Sequence, residues 1–366
     1  MARFFASIIA ATLAVTLTLG LLVSCIGGGG GGGGQSTNWG PEITGPLFTV
    51  SPLETSKIIY VTGQGHLAPF SHTLPTPHVY LYWHNSSPIT TLIPVVSPGP
   101  GTITFVLKQD LGGGQSDTKM MVRASPNLTW YMDHVSLAPG LGLGSVLTPG
   151  MSIGTTSSLS AAVDLGLLDS SVINPFIAPQ RYGDDLINSV SPWTRFTPAL
   201  RTFFDGISQV VGPNKDGDVC FDVDGTAAGN WFLDGVPDSK DAYGKPENWP
   251  KHLAFARDEI DPTRWRISVG GIISAAALWA IVPGDPEPTA ITTGIGLRII
   301  RLYTNLTQDG TMLPSGWLLV RMDANGLLYV QYFSASDYPP SSALHTPVTN
   351  FTGGEKLYRR MQGASG

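Results

Sequence analysis

Residues 65–84 read GHLAPFSHTLPTPHVYLYWH and hold four of the chain's seven histidines, His66, His72, His78 and His84, each six residues from the next. Imidazoles bind metals, move protons and cap carboxylates, so their grouping decides which chemistry is open. Even spacing within one strand puts all four on one face, but ~20 Å apart from one to the next at ~3.3 Å per residue. That is too far for one ion. Pro69, Pro75 and Pro77 interrupt the stretch, so loops can fold some of these side chains together. Spacing alone leaves three options: a metal site, a catalytic cluster, or a His-rich strand and loop.

Two acidic motifs compete. Phe221-Asp222-Val223-Asp224-Gly225-Thr226 resembles the first motif of haloacid-dehalogenase phosphatases, where the first Asp attacks phosphorus and the second acts as acid and base beside Mg²⁺. Its surroundings argue against that chemistry. The chain continues as AAGNWFLDGVPD instead of a helix, and the acidic pair Asp184-Asp185 precedes the motif instead of following it. The same region offers Asn214, Asp216, Asp218, Asp222 and Asp224 as calcium oxygens, but Val219 stands where a calcium loop needs Gly and Gly225 where it needs Glu. A solvated acidic turn is the expected reading. The chain has no G-x-S-x-G elbow, H-E-x-x-H, C-x-x-C or P-loop.

The ends and composition narrow the class. Residues 4–23 are almost wholly apolar after Arg3 and end in Leu22-Val23-Ser24-Cys25, the pattern of a lipoprotein signal peptide with Cys25 as the lipidated residue. Eight glycines follow, a tract that cannot pack a core and reads as a flexible tether. A transmembrane anchor is the alternative for the same apolar run. Ile26 after the cysteine favours an outer-membrane destination within a bacterial envelope. With Cys25 lipidated, Cys220 has no disulfide partner. A net charge of −6, only 13% charged residues and the absence of a basic tract exclude nucleic acid as a partner.

Gly (44 residues) and Pro (29) punctuate short runs of Val, Ile, Thr and aromatics, which predicts a mainly β protein. Strands are expected at 57–62, 78–83, 91–96, 102–107, 118–124 and 128–137, with a Gly-rich loop at 111–117 and two more strands around 146–154 and 161–169. Helical spacing falls within 182–211, where Thr197 and Pro198 make a favoured helix start. From 216 onward DVCFDV, GNWFL, KHLAFARD, WRISVGG, the run 272–282, GIGLRIIRLYT, GWLLVRMD and GLLYVQYF predict eight strands of a sandwich or closed barrel. The expected organisation is a signal peptide over 1–25, a tether over 26–44, a β domain with a helical extension over 45–213, and a β-sandwich or barrel over 214–366. Trp231, Trp249 and Trp265 are candidates for a carbohydrate or protein surface, with core packing as the expected alternative.

The order of segments carries one resemblance. HTLPTPHVYLY is followed by PVVSPGPGTITFV, LTWYMDHVSL, VLTPGMSIG and AVDLGLLD. Over about 57–170 this resembles the duplicated-hybrid-motif domain of lysostaphin/LytM-type zinc endopeptidases, which cut peptidoglycan cross-links. The resemblance implies that His78 matches the first zinc ligand of H-x-x-x-D, with Tyr82 in place of the Asp. His134 matches a catalytic histidine. The final H-x-H becomes Ala162-Val163-Asp164, with Asp164 at the remaining ligand position. His72, Tyr82 and Tyr131 are expected to line the pocket, and His66 and His84 to be loop residues. The implied function is an envelope lipoprotein whose peptidase-like domain, stripped of most zinc chemistry and holding no cofactor, binds peptidoglycan, a peptide or an envelope protein. The alternative is an active zinc hydrolase that uses His78, His134 and Asp164.

Overall fold

A computed structural model describes residues 41–86, 88–113, 115–306, 312–335 and 349–361. Cys25, the apolar leader and the glycine tract lie outside the described residues. Among those residues no helix is long and apolar enough to cross a membrane.

Alternation of apolar and polar residues builds the first domain. Its strands are β1 (Tyr60–Val61), β2 (His78–Tyr82), β3 (Pro94–Val96), β4 (Gly101–Gly112), β5 (Gln115–Arg123), β6 (Leu128–Leu137), β7 (Val146–Leu147), β8 (Ser152–Thr156), β9 (Ala162–Asp169) and β10 (Ser189–Val190). The main sheet runs β1-β2-β9-β6-β5-β4-β7, with β10 on β9 and β8 bridging β6 to β3. One face packs the core. Val79 and Leu81, Val163, Leu165 and Leu167, Trp130 and Met132, and Met120 and Val122 all belong to a single buried cluster. Residues between them in sequence point the other way. That opposite face carries His78, Asp164, Tyr131, Asp133, Asp117 and Lys119, which all border one cavity. The helix Pro198–Ile207 closes the core side through Phe204, packed tilted on Trp193 and edge-to-face on Phe196.

The second domain is a closed antiparallel barrel of β11 (Gly229–Leu233), β12 (His252–Arg257), β13 (Trp265–Val269), β14 (Ala277–Ile281), β15 (Arg298–Leu306), β16 (Met312–Met322), β17 (Leu328–Ser334) and β18 (Lys356–Arg359). Closure satisfies the edge strands, because β11 pairs with both β12 and β18. Trp231, Leu253, Phe255, Ile267, Val269, Ile300, Leu318 and Val330 fill its interior. A third cluster joins the domains: Leu74, Phe176, Tyr182 and Leu186 pack on Phe232 and Ala254 of the barrel's outer face.

The mainly β prediction holds, with three local differences. Residues 111–117 are not an open loop, because β4 and β5 run on to pair Gly112 with Gln115. DVCFDV is not a strand: the Asp222 carboxylate accepts from the Asn230 and Ile177 backbone N–H groups, bending this segment into a connector. The eighth barrel strand is instead KLYR, too short and charged to show an alternating signal. Trp231 and Trp265 are buried, and Trp249 faces the inter-domain cavity.

Candidate functional site

The site face owes its shape to one irregularity. Along β6 the core-facing residues Leu128, Trp130 and Met132 are even-numbered, whereas Val135 is odd-numbered. The parity changes because Thr118 pairs with Val135 and Met120 with Met132, so Asp133 and His134 oppose Lys119 alone. This is a β-bulge, a device that re-aims side chains. His134 takes a left-handed φ of 63°, the only positive φ at a non-glycine among the described residues. Left-handed backbone is disfavoured for a histidine and is held by its surroundings. Its N–H donates to Asp133 Oδ1 at 2.9 Å. At the same point β6 leaves β9, pairing Asp133 with Asp164, and joins β8 through Val135 and Thr156.

A chain of alternating imidazoles and carboxylates crosses this face. His78 Nε2 lies 3.1 Å from Asp164 Oδ2 and 2.9 Å from the Tyr80 hydroxyl. The carboxylate fixes the neutral tautomer with its proton on Nε2, which leaves Nδ1 to accept from the Tyr131 hydroxyl at 3.3 Å. The same Asp164 oxygen is 3.7 Å from His134 Nε2. His134 Nδ1 donates to Asp117 Oδ1 at 3.1 Å. Asp164 Oδ1 is buried and has no hydrogen-bond partner.

Burial and charge set the protonation states. Burial pushes His78 well below the ordinary imidazole value, helped by His72 and Lys119. Burial also lowers His72 to about 4, with His66, His134 and Lys119 adding to it. At His134 burial opposes the charge, but Asp164, the bonded Asp117 and Asp133 outweigh it and push the imidazole up to about 10. Burial pushes Asp164 up to about 7 against the pull of His134. For Asp117 burial acts upward, and the hydrogen bond and charge of His134 prevail to lower it. In the metal-free protein His134 is therefore a cation among carboxylates at neutral pH, and His78 is a neutral donor.

The cavity above this chain measures about 760 Å³. One wall is the sheet face. A second is the segment Ser71–Pro77, which places His72 with its ring 6.1 Å from that of His78. The barrel domain supplies Tyr243, Trp249 and His252. His252 is buried against Tyr243 with rings 5.9 Å apart and near-parallel, and burial lowers it to about 3.

The structure brings His78, His134 and Asp164 together and places His72 and Tyr131 on the cavity wall. Tyr82 is placed elsewhere. It stacks on Tyr60 with ring centroids 4.3 Å apart and does not line the cavity. The reason is backbone geometry: His78–Tyr82 is an extended strand, so four residues separate the two positions by about 13 Å. Ligands sit about 2 Å from a zinc ion, so an H-x-x-x-D pair anchored at His78 cannot close around one ion in this conformation. His66 lies outside the strands, bound to Glu259 of the barrel domain at 2.7 Å. His84 follows β2 and stacks on Trp83. Sequence reasoning missed Asp117 and Asp133. Among the described residues, the group whose ligand atoms all lie within 4.8 Å of one another is Asp117, Asp133 and His134. Asp133 adjoins His134 in sequence, but Asp117 is recognisable only once β5 and β6 are paired.

Fold and site together define a two-domain, mainly β protein with a histidine–carboxylate face lining an inter-domain cavity. No protein-family model matches the chain, and no curated protein matches it. Among solved structures it is similar to Helicobacter pylori Csd3 in a hexagonal crystal, at 20% identity over 37% of this chain and 33% of that one, with a TM-score of 0.26. It is also similar to a zinc-containing peptidase from Vibrio cholerae, at 15% identity over 34% and 37% of the two chains, with a TM-score of 0.26. A second Csd3 crystal form gives 19% identity over 44% and 40%, with a TM-score of 0.25. Each match spans less than half of the other protein's length.

Proposed function

We propose that the first domain is a degenerate lysostaphin/LytM-type domain that binds a cell-wall peptide without cutting it. The protein is an envelope lipoprotein anchored through Cys25, with peptidoglycan as its partner and the outer membrane as its location. The observation that supports loss of cleavage is the alternating chain His78–Asp164–His134–Asp117, whose members are paired with one another. A general base needs a free nitrogen near the attacking water, and His134 Nδ1 is bound to Asp117 at 3.1 Å while its Nε2 faces Asp164 at 3.7 Å. Ala162 stands where the peptidase pattern has its second catalytic histidine. Zinc as that family holds it does not fit here, because Tyr82 is far from His78 and packed on Tyr60.

The cavity suits a short peptide carrying both charges. Lys119 faces it as a cation, Asp133 and Asp185 as anions, and Tyr243 and Trp249 as flat apolar walls. The test is equilibrium binding of cross-linked muropeptides to the full-length protein, followed by mass analysis of the recovered ligand. Saturable binding with intact ligand is expected.

A second reading, an active metallohydrolase, draws on one observation: the buried Asp164 Oδ1 has no partner, as a metal ligand would when the ion is absent. Zinc-dependent cleavage in the same assay would favour it.

A further inference from the structure

The outer strand of the site sheet leaves part of its backbone unpaired beside the cavity. β4 pairs with β5 along its whole length. Its other side is met only at Gly101–Ile103, by β7 and the loop before it. From Val106 to Asp110 nothing among the described residues pairs with that side. We propose that this edge docks an extended segment of a partner protein, added as one more antiparallel strand with an acidic residue opposite Lys108. The proposal does not rest on cell-wall peptide binding, since it uses the backbone of β4 and not the imidazole face.

The pairing shows which groups are on offer. Two facing residues of an antiparallel pair turn their backbone groups either towards each other or both away. Ser116 turns away from β4, because its N–H donates to the Ser136 hydroxyl of β6 at 3.1 Å. Asp110, which faces Ser116, therefore turns away from β5. The register runs unbroken back to the Val106–Met120 pair, so Lys108 and Val106 turn the same way. Three N–H and three C=O groups are thus directed at the open side. Before the bulge at Thr104, Ile103 already uses its outward pair, donating to Ser145 O at 2.9 Å and accepting from Gly144 N–H at 2.8 Å.

The cavity reaches this edge. Leu107 and Gln109 pair with Lys119 and Asp117 and share their face, whereas Lys108 pairs with the buried Thr118 on the other face. All three of Leu107, Lys108 and Gln109 nonetheless border the cavity, which places the edge of the strand itself on its rim. A regular strand complements such an edge, because it presents an N–H and a C=O at every second residue. Three features select one short strand over another sheet. The bulges at Thr104 and Leu111 limit the straight edge to about five residues, ~13 Å. Lys108 stands exposed in its middle, a charge that keeps apolar sheet edges away and attracts a carboxylate on the facing residue. The cavity, about 760 Å³, lies on the Leu107 and Gln109 face and leaves room for the side chains that an added strand turns there.

The test is titration of the full-length protein with a capped heptapeptide of L-residues, threonine throughout except for valines either side of a central aspartate. Amide hydrogen exchange is read by NMR in parallel. Saturable binding is expected, with exchange at Val106, Lys108 and Asp110 slowed at least tenfold and exchange at Leu107 and Gln109, bonded to β5, little changed. N-methylation of the central aspartate should weaken binding at least tenfold, and N-methylation of either valine by no more than about threefold, because only alternate N–H groups face β4. Lys108→Pro removes one outward N–H while sparing the bonds to β5, and should abolish binding. Lys108→Gln should weaken it about fivefold. Thermal melts check that both variants fold, and the exchange and methylation patterns on wild type decide the question if Lys108→Pro does not. Absence of saturable binding, equal loss from both methylation sites, or slow exchange at these three amides in a free protein that sediments as a dimer, with a second copy on the edge, would overturn the proposal.

Discussion

Asp164 stands directly opposite Asp133 on the neighbouring strand, both on the face turned away from the hydrophobic core. Two carboxylates in register would repel. The fold sets two imidazoles on Asp164 instead, His78 at 3.1 Å and His134 at 3.7 Å, while Asp133 Oδ1 accepts the His134 backbone N–H at 2.9 Å.

Stability in EDTA should fall as pH rises from about 7 to about 9.5. His134 has a folded-state value raised to about 10, so its stabilising charge is fully present below the ordinary imidazole value and is lost as pH climbs towards the raised one. Asp164, raised to about 7, acts in the same direction at lower pH. His78 and His72 are lowered and oppose it below pH 6.5, because the unfolded chain takes up protons there that the folded chain refuses. With allowance for screening at a side chain 29% exposed, the alkaline loss is about 2 kcal/mol. Urea unfolding across this range measures it. His134→Gln should flatten the alkaline limb, and an unchanged slope would show that His134 does not carry the charge assigned to it.

Gly166→Ala should disturb the site through Tyr131. Gly166 pairs with His78 on one side and Tyr131 on the other, and an added Cβ would lie 2.0 Å from the Tyr131 ring. Tyr131 is fully buried and cannot swing away. A loss of about 2–3 kcal/mol is expected from overpacking. Thermal melts record it, and the His78–Tyr131 hydrogen bond should be lost with it.

Trp249→Ala tests whether the barrel domain forms part of the binding surface. Trp249 faces the cavity and meets Phe70 edge-to-face with centroids 5.8 Å apart. Muropeptide affinity should drop about tenfold, while the melting temperature changes by no more than a few degrees. Unaltered affinity would confine recognition to the first domain.

Asp222→Ala separates structure from chemistry in the FDVDGT motif. The Asp222 carboxylate holds the Asn230 N–H at 2.8 Å and the Ile177 N–H at 2.9 Å, tying the start of the barrel to the connector. Removing it leaves both donors unpaired and should destabilise by about 2–4 kcal/mol. Phosphatase activity should be absent from wild type and variant alike under Mg²⁺.

The sequence made the strand content and seven of the eight barrel strands readable, because Val, Ile and aromatic residues alternate between Gly and Pro breaks. LTWYMDHVSL was read to its ends as β6. His78, Asp164 and His134 came together by way of segment order, which fixes which strands are neighbours. The bulge was not readable. A one-residue change of register leaves no local signature beyond Asp133-His134 breaking the alternation, and its consequence for Asp117 depends on pairing with a strand far from it in sequence. Tyr82 failed as a pocket residue because a sequence pattern carries spacing and not conformation, and β2 is extended there. KLYR was missed because four residues closing a barrel need no hydrophobic run of their own.

The most direct test of the central claim is one incubation: full-length protein with a cross-linked muropeptide and excess Zn²⁺, followed by equilibrium binding and mass analysis of the peptide. Saturable binding with the peptide recovered intact is the predicted result. Cleavage at the cross-link, abolished by His134→Gln, would contradict the account and establish a working hydrolase, and absence of binding would remove the peptide as the ligand of this cavity.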